Sequence, residues 1–308
     1  MVLSVVVPVF NEEKVLPILH ERLVNVISSI TNEYEIIFVN DGSIDQSLHV
    51  IKELASKFQQ VKYIDFSKNF GHQIAVFAGL EYAKGDAIVI IDADLQDPPE
   101  LITSLYAKLN EGYDVVYARR EQREGESWHK LLTAKLFYRF INRLSEVPIP
   151  LDTGDYRIIT KRINTIITSM PEHNKFLRGQ IAWAGFNQTA VLYKREERYA
   201  GATNYPYAKM FSFAFDGITA FSNLPLRLAT YLGFVVSFLS FLVIIYTLYQ
   251  KYINHDVVPG WSSLMVSILF IGGVQLICLG IIGEYLGRIM DNVKNRPLYI
   301  VKETNFEQ

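Results

Sequence analysis

The chain has 308 residues, 50% of them hydrophobic and 20% charged, which is ample for one large domain or two and excludes a disordered chain. Thirty basic against 32 acidic residues leave a net charge of −2, which excludes a general nucleic-acid coat. The single cysteine, Cys278, excludes a disulfide framework and a cysteine-built zinc site.

From the N-terminus to residue 118 two patterns alternate. Runs rich in β-branched residues at Leu3–Phe10, Glu35–Asn40, Lys62–Phe66, Ala87–Asp92 and Asp114–Tyr117 read as strands. The stretches between them, about 12–30, 45–58, 72–84 and 98–111, read as helices. Asp97 ahead of Pro98 and Pro99 predicts an N-cap with first-turn prolines, and Ser43 predicts a cap for the helix behind it. Strands without polar alternation are buried on both faces. Strand–helix alternation predicts an α/β fold with a mostly parallel sheet and helices on both faces. Ligands bind such a sheet at the carboxyl ends of its strands, which selects loops 8–13, 40–45, 67–72 and 92–98.

Further along, Glu121–Ser127 is charged and glycine-containing and reads as a linker. Residues 129–144 place Leu132, Leu136, Phe137, Phe140, Ile141 and Leu144 at helical spacing, with Lys130, Lys135, Arg139 and Arg143 among the rest. That is a basic amphipathic helix, suited to a membrane interface or to packing on the sheet with a solvated basic face. Tyr207–Phe221 is a second, phenylalanine-rich candidate. Residues 228–250 and 257–283 carry no charge, and each is long enough for a bilayer core, which needs roughly 20 apolar residues. Together they predict a two-helix membrane hairpin. Arg227 on one outer flank and Arg288, Lys294 and Arg296 on the other place both flanks, and the large N-terminal part, in the cytoplasm. Leu3–Phe10 is too short for a signal peptide and lacks a basic leader. Glu284 is expected to pair with Arg288 one helical turn on. Lys302–Gln308 reads as a solvated tail.

The selected loops hold the unusual residues. Neither a GxGxxG nor a GxxxxGK[ST] sequence is present, so the dinucleotide fingerprint and the P-loop are excluded. Asp92 and Asp94 stand two apart at the end of an apolar strand, a spacing that aims both carboxylates to one side. Gln96 adds an amide oxygen. Carboxylate and carbonyl oxygens suit a hard cation such as Mg²⁺ or Mn²⁺. Asn40-Asp41-Gly42-Ser43 forms a turn on composition alone, and Asp41 is also placed to meet a nucleobase. Gly154-Asp155-Tyr156-Arg157 puts a carboxylate beside an arginine, which as a surface ion pair would contribute little.

PVFNE at 8–12, NDGS at 40–43, DADLQDPPE at 92–100, GDYR at 154–157 and FLRG at 176–179, in that order, resemble the family-2 glycosyltransferases. With the paired C-terminal apolar segments they resemble the polyprenyl-phosphate glycosyltransferases in particular, over about 1–290. The resemblance implies a GT-A nucleotide-sugar-binding domain over 1–160 and an extension with juxtamembrane helices over 161–226. A transmembrane hairpin over 227–290 and a cytosolic tail over 291–308 complete the chain. It implies inverting transfer of one hexose from a UDP-sugar, UDP-glucose or UDP-N-acetylglucosamine, to undecaprenyl phosphate at the cytoplasmic membrane. By motif, Pro8, Glu12 and Asp41 would contact the nucleoside and Arg198 the donor diphosphate. Asp94 and Gln96 would hold Mg²⁺ or Mn²⁺, with Asp92 beside it. Asp155 would sit at the reacting carbon, and Arg120 and Lys130 would face the acceptor phosphate. Relatives often carry Ser-Lys-Tyr where this chain has Thr203-Asn204-Tyr205, so a donor-phosphate contact at 204 is in question. Related membrane enzymes assemble, and glycines within 272–287 permit the close helix packing of a homo-oligomer.

A phosphate monoester has a second pKa of about 6, so such an acceptor needs little deprotonation. That points to Asp155 orienting groups or stabilising charge. A processive polysaccharide synthase would carry Gln-x-x-Arg-Trp, whereas Gln180-Ile181-Ala182-Trp183 has no arginine before its tryptophan. A non-catalytic scaffold would not need Asp92, Asp94, Gln96 and Asp155 together.

Overall fold

Strand β1 (Leu3–Val9) is buried at every residue, and its alternate side chains enter two different core layers. Val5, Val7 and Val9 pack with Leu16, Leu19 and Leu23 of helix α1 (Leu16–Ser28), whereas Val6 packs with Ala75, Val76 and Leu80 of α3 (His72–Tyr82). That is why the strand shows no polar alternation. The computed structural model describes residues 2–121, 153–194, 224–249 and 260–306. The chain forms two compact units, one of 1–213 with 296–308 and one of 214–295.

In the first unit, β1 pairs in parallel with β2 (Tyr34–Asn40) and β4 (Ala87–Ile90), and β2 with β3 (Val61–Phe66). Beyond β4 lie β6 (Thr153–Thr160), β5 (Val115–Arg120) and β7 (Gln188–Tyr193), in the order β7-β5-β6-β4-β1-β2-β3-β8. β6 runs antiparallel to both neighbours, while β5 and β7 are parallel to one another. Helices α1, α2 (Ser47–Lys57) and α4 (Leu101–Asn110) contribute to one core layer. Helices α3, α5 (Lys161–Ser169) and α6 (Leu177–Trp183) contribute to the other. The predicted α/β fold with a mostly parallel sheet is therefore present. Gly79 lets α3 lie close on the sheet: a Cβ there would come within 2.3 Å of Val6 Cγ1.

Three local expectations are corrected. Asp97 does not cap α4, which starts at Leu101 with Glu100 in the cap position; the Asp97 carboxylate instead accepts the Tyr193 hydroxyl. Ser43 does not cap α2; its Oγ accepts the Asn11 N–H at 3.0 Å. The C-terminal segment is not a solvated tail, because β8 (Val301–Thr304) pairs antiparallel with β3. The Asn305 side chain accepts the Tyr63 N–H at 2.7 Å and donates to the Val61 carbonyl at 3.0 Å. Tyr299 stacks on Phe66 at 4.9 Å and donates its hydroxyl to Glu81 at 2.7 Å. A short polar strand carries no apolar run, and its partners lie about 240 residues away in sequence.

In the second unit, α7 (Leu224–Tyr249) packs with α8 (Trp261–Lys294), and the Cys278 Sγ lies 3.9 Å from the Ala229 carbonyl oxygen. Among the described residues, Val266–Lys294 is long and apolar enough to cross a membrane, and Ala229–Val243 is a shorter apolar helix. Glu284 pairs with Arg288 at 3.1 Å, as expected.

Tyr299→Ala, which removes a ring stack and a hydroxyl bond together, is expected to destabilise the first unit by about 1–3 kcal/mol. Lys302→Ala removes only an exposed cation 3.9 Å from Asp65 and is expected to leave the midpoint unchanged. Thermal unfolding of the two variants beside the wild type checks the contrast.

Candidate active site

The loops at the carboxyl ends of β1 and β2 are laced to each other. Asn11 Oδ1 accepts the Ile44 N–H, Ser47 Oγ accepts the Glu12 N–H, and Glu13 Oε2 accepts the Gln46 N–H, each at 2.9 Å. Gly42 has φ +66°, and a Cβ there would lie 2.5 Å from the Asn69 nitrogen, so the turn admits only glycine. Asp41, behind it, is buried and accepts the N–H groups of Phe70 at 2.7 Å and Gly71 at 3.0 Å. Burial raises its carboxyl above the ordinary value, against the pull of those two donors.

After β4 the burial alternates: Ala93, Leu95 and Asp97 are buried, while Asp92, Asp94 and Gln96 are only half-buried. The three oxygen-bearing side chains are thus the more exposed ones of this turn. Leu95 sits at φ +57°, and Asp94 Oδ1 accepts the Gln96 N–H at 3.1 Å, which tightens the turn. Asp92 Oδ1 is buried without a hydrogen-bond partner. Burial, then the charges of Asp155, Asp97 and Asp94, push its carboxyl up to about 6 against the pull of His72. Among the described residues no group of three His, Cys, Asp or Glu forms a ready metal cage. The set still fits Mg²⁺ or Mn²⁺, because such ions take one or two carboxylates and complete their shell with substrate phosphates and water. A buried carboxylate oxygen without a hydrogen bond, with only the His72 imidazole near it at 3.5 Å, is one that a cation would satisfy.

Strand β6 brings Asp155 to this loop. The antiparallel register pairs Ala87 with Thr160 and Ile90 with Arg157, and past the end of this ladder Asp92 and Asp155 both come within reach of His72 Nε2. Asp155 is 6% exposed. Its Oδ1 accepts Arg178 Nε at 2.7 Å, and its Oδ2 accepts Gln73 Nε2 at 2.9 Å. His72 Nε2 lies 3.2 Å from Asp155 Oδ2 and 3.5 Å from Asp92 Oδ1. Arg157 Nη2 is 4.0 Å from Asp155 Oδ1 and donates to the Gly154 carbonyl at 2.9 Å. Burial alone would raise the Asp155 carboxyl, but Arg178 and His72 outweigh it and hold it well below the carboxylate range. Burial likewise pulls His72 down, and the Asp155 hydrogen bond with the charges of Asp92 and Asp155 lifts it to about 9. The GDYR carboxylate is therefore a buried, multiply bonded anion and not a surface ion pair.

A second cluster adjoins the first. Tyr193, the last residue of β7, donates its hydroxyl to Asp97, and Arg120 Nε lies 3.4 Å from the same hydroxyl. Tyr156 donates to the Pro98 carbonyl at 3.0 Å. A Cβ on Gly154 would be 3.8 Å from both Arg120 Nη2 and Asp97 Oδ2, so the Arg120 head lies next to the residue preceding Asp155.

Asp92 and Asp155 thus come together at His72, with Asp94 and Gln96 on the same loop as Asp92 and Arg120 beside Gly154. Asp41 lies one turn of chain away through Phe70 and Gly71. Pro8 is buried within β1, and Glu12 opens the turn into α1. Lys130, Arg198, Thr203–Tyr205 and the stretches 129–144 and 207–221 lie outside the described residues. Sequence reasoning gave no role to His72, Gln73, Arg178 or Tyr193. His72 ends loop 67–72, which the strand-end rule selects, Gln73 follows it, and Arg178 belongs to FLRG; an isolated tyrosine at the end of β7 carries no signal.

The model of glycosyl transferase family 2 matches residues 4–166, and that of the GtrB C-terminal hairpin matches 224–289. The chain is 49% identical over 301 residues to the uncharacterized glycosyltransferase YkcC of Bacillus subtilis, covering 98% of this chain and 93% of that one. It is 42% identical over 305 residues to the SfII prophage-derived bactoprenol glucosyl transferase of Shigella flexneri, covering 99% of each. Its fold is similar to the crystal structure of mannosyl-3-phosphoglycerate synthase from Rubrobacter xylanophilus, with a TM-score of 0.50 at 17% identity over 71% of this chain and 72% of that one. This likeness is one of fold alone and agrees with a GT-A-like α/β domain. By its family matches and its full-length relatives, the chain belongs to glycosyl transferase family 2 and carries a GtrB-type C-terminal hairpin.

Proposed function

We propose that the protein moves one hexose from a UDP-sugar to a polyprenyl phosphate at the cytosolic face of the cytoplasmic membrane, inverting the anomeric centre. The observation that carries the reading is the Asp92–Asp94–Gln96 loop set against the buried Asp155, in a chain related end to end to a bactoprenol glucosyl transferase.

Pro8, Glu12 and Asp41 form the nucleoside end, at the laced β1 and β2 loops. Asp94 and Gln96, with Asp92 beside them, would hold Mg²⁺ or Mn²⁺, which supplies Lewis-acid stabilisation of the departing diphosphate. Arg198 meets the donor diphosphate. Arg120, next to Gly154, meets the acceptor phosphate together with Lys130. An oxygen of that phosphate attacks the anomeric carbon as the bond to the diphosphate breaks, and the electron pair leaves with the diphosphate. The acceptor is largely a dianion at neutral pH, so no side chain has to remove a proton. Asp155 suits this, because its two oxygens are occupied by Arg178, Gln73 and His72. It fixes those donors as a permanent anion.

The lipid acceptor calls for a membrane anchor, and α7 with α8 is read as a hairpin of two spans. Large apolar side chains such as Phe234, Phe238, Leu276 and Leu279 are exposed on these helices. Chain connectivity supports an even number of crossings. Residues 296–308 belong to the same unit as β3. A single crossing by α8 would leave β8 on the opposite side of the bilayer from its pairing partner. Two crossings return it. A Cβ added at any of the α8 glycines 272, 273, 280, 283 and 287 would meet nothing within 4 Å among the described residues, which suits packing of a second copy in a homo-oligomer.

Purified protein in detergent, given undecaprenyl phosphate, Mn²⁺ and a panel of UDP-sugars, is expected to yield a lipid carrying a single sugar, seen by mass spectrometry. Growing chains would instead point to a processive synthase. Asp94→Ala is expected to lose more than about 100-fold in turnover, while Asp155→Asn keeps a measurable remainder; equal and complete loss in both would argue for a base at Asp155. For topology, a single cysteine at Asn254 in a Cys278→Ser background is expected to react with an impermeant maleimide in intact cells. One at Lys302 is expected to react only after permeabilisation.

A further inference from the structure

The turn into α3 touches each part of the site. The N–H groups of Phe70 and Gly71 hold Asp41, His72 faces Asp92 and Asp155, and Gln73 donates to Asp155 while its Oε1 accepts the Leu177 N–H at 3.2 Å. The resemblance to known glycosyltransferases gave His72 no role. We infer that His72 is a positioning residue for the transfer reaction: it joins the metal-binding loop to Asp155 by presenting one imidazole edge to both carboxylates. This rests on the glycosyltransferase reading above.

Asp92 and Asp155 both lie within 3.5 Å of His72 Nε2, so two carboxylates meet in a place where like charges repel. A single Nε2, at 3.2 Å from one and 3.5 Å from the other, gives both an attractive partner. Both neighbours are acceptors when ionised, so Nε2 is the donor. The backbone that carries the ring is fixed. His72 is the first residue of α3, entered through Gly71 at φ +103°, and Ala75 to Leu80 of that helix are buried. The His72 side chain is 44% exposed. Truncating it therefore leaves little cavity, and its loss acts on the two carboxylates more than on the fold. Without it, Asp92 turns away from Asp155, and the oxygens that Asp92, Asp94 and Gln96 offer to a cation lose their spacing.

The test compares the full-length wild type, His72→Ala and His72→Gln. Three quantities are read: Mn²⁺ affinity with UDP present, by calorimetry; kcat and KM for the UDP-sugar at saturating Mn²⁺; and the thermal midpoint. For His72→Ala, kcat is expected to fall about 10- to 100-fold and the Mn²⁺ Kd to rise about 10-fold, with the donor KM within about twofold. The midpoint is expected to stay at the wild-type value. His72→Gln, whose amide N–H still reaches one carboxylate, is expected to recover part of both losses. Unchanged Mn²⁺ affinity in His72→Ala overturns the inference, whether or not kcat falls. So does a loss of kcat that tracks a lowered midpoint. A wild type that binds Mn²⁺ and UDP but makes no glycolipid overturns the proposed function instead, and the calorimetric comparison still decides the role of His72.

Discussion

The site depends on one buried anion. Asp155 lies within the sheet at the edge where its neighbours end, in a place that by desolvation alone would neutralise a carboxyl. It stays charged because donors converge from two separate elements: His72 and Gln73 from α3 and Arg178 from α6. Each donor is in turn placed by Asp155. An uncompensated charge in such a setting is costly, and Arg178, bonded at 2.7 Å, is the principal partner that offsets it. The FLRG segment packs where it does because Leu177 and Arg178 both bond into this cluster.

Sheet topology supplies the rest. The parallel strands β1, β2 and β4 bring the loops after β1 and β2 and the oxygen-rich loop to one edge. A purely parallel sheet would have ended there. The antiparallel insertion of β6 between β4 and β5 runs the chain back through that edge and brings Asp155 near Asp92. Tyr156, the residue between Asp155 and Arg157, points into the opposite core layer and pins Pro98 through its hydroxyl. One short strand therefore holds the oxygen-rich loop from below and meets it from the side.

Strands β1 to β5 were legible because their apolar runs report burial on both faces, and the strand-end rule then selected the loops that carry Asp41, Asp92 and Asp94. β6 was not legible as a strand, because Asp155 and Arg157 interrupt its apolar positions and read as a charged loop. Its partner β4 is some 70 residues away, and nothing local reveals the register. Asp97 was misread for the opposite reason. Asp-Pro-Pro is a strong local helix-start signal, and a tertiary partner, Tyr193, overrode it. His72 gave no pattern at all: a single histidine opening a helix acquires meaning only when two distant carboxylates are placed against it.

The C-terminal strand extends this logic to the outer edge of the sheet. After α8 the chain returns to lie along β3, with the Ile300 carbonyl accepting the Ser67 N–H at 3.0 Å and Tyr299 stacked on Phe66. Phe66 also meets Phe70 edge-on at 5.6 Å. The strap thus braces the start of the loop whose far end holds Asp41 and delivers His72. Loop 67–71 is held at its base by the segment leading into β8 and at its tip by Asp41, so α3 leaves it in one direction. That fixed exit is what lets a half-exposed histidine stand between Asp92 and Asp155.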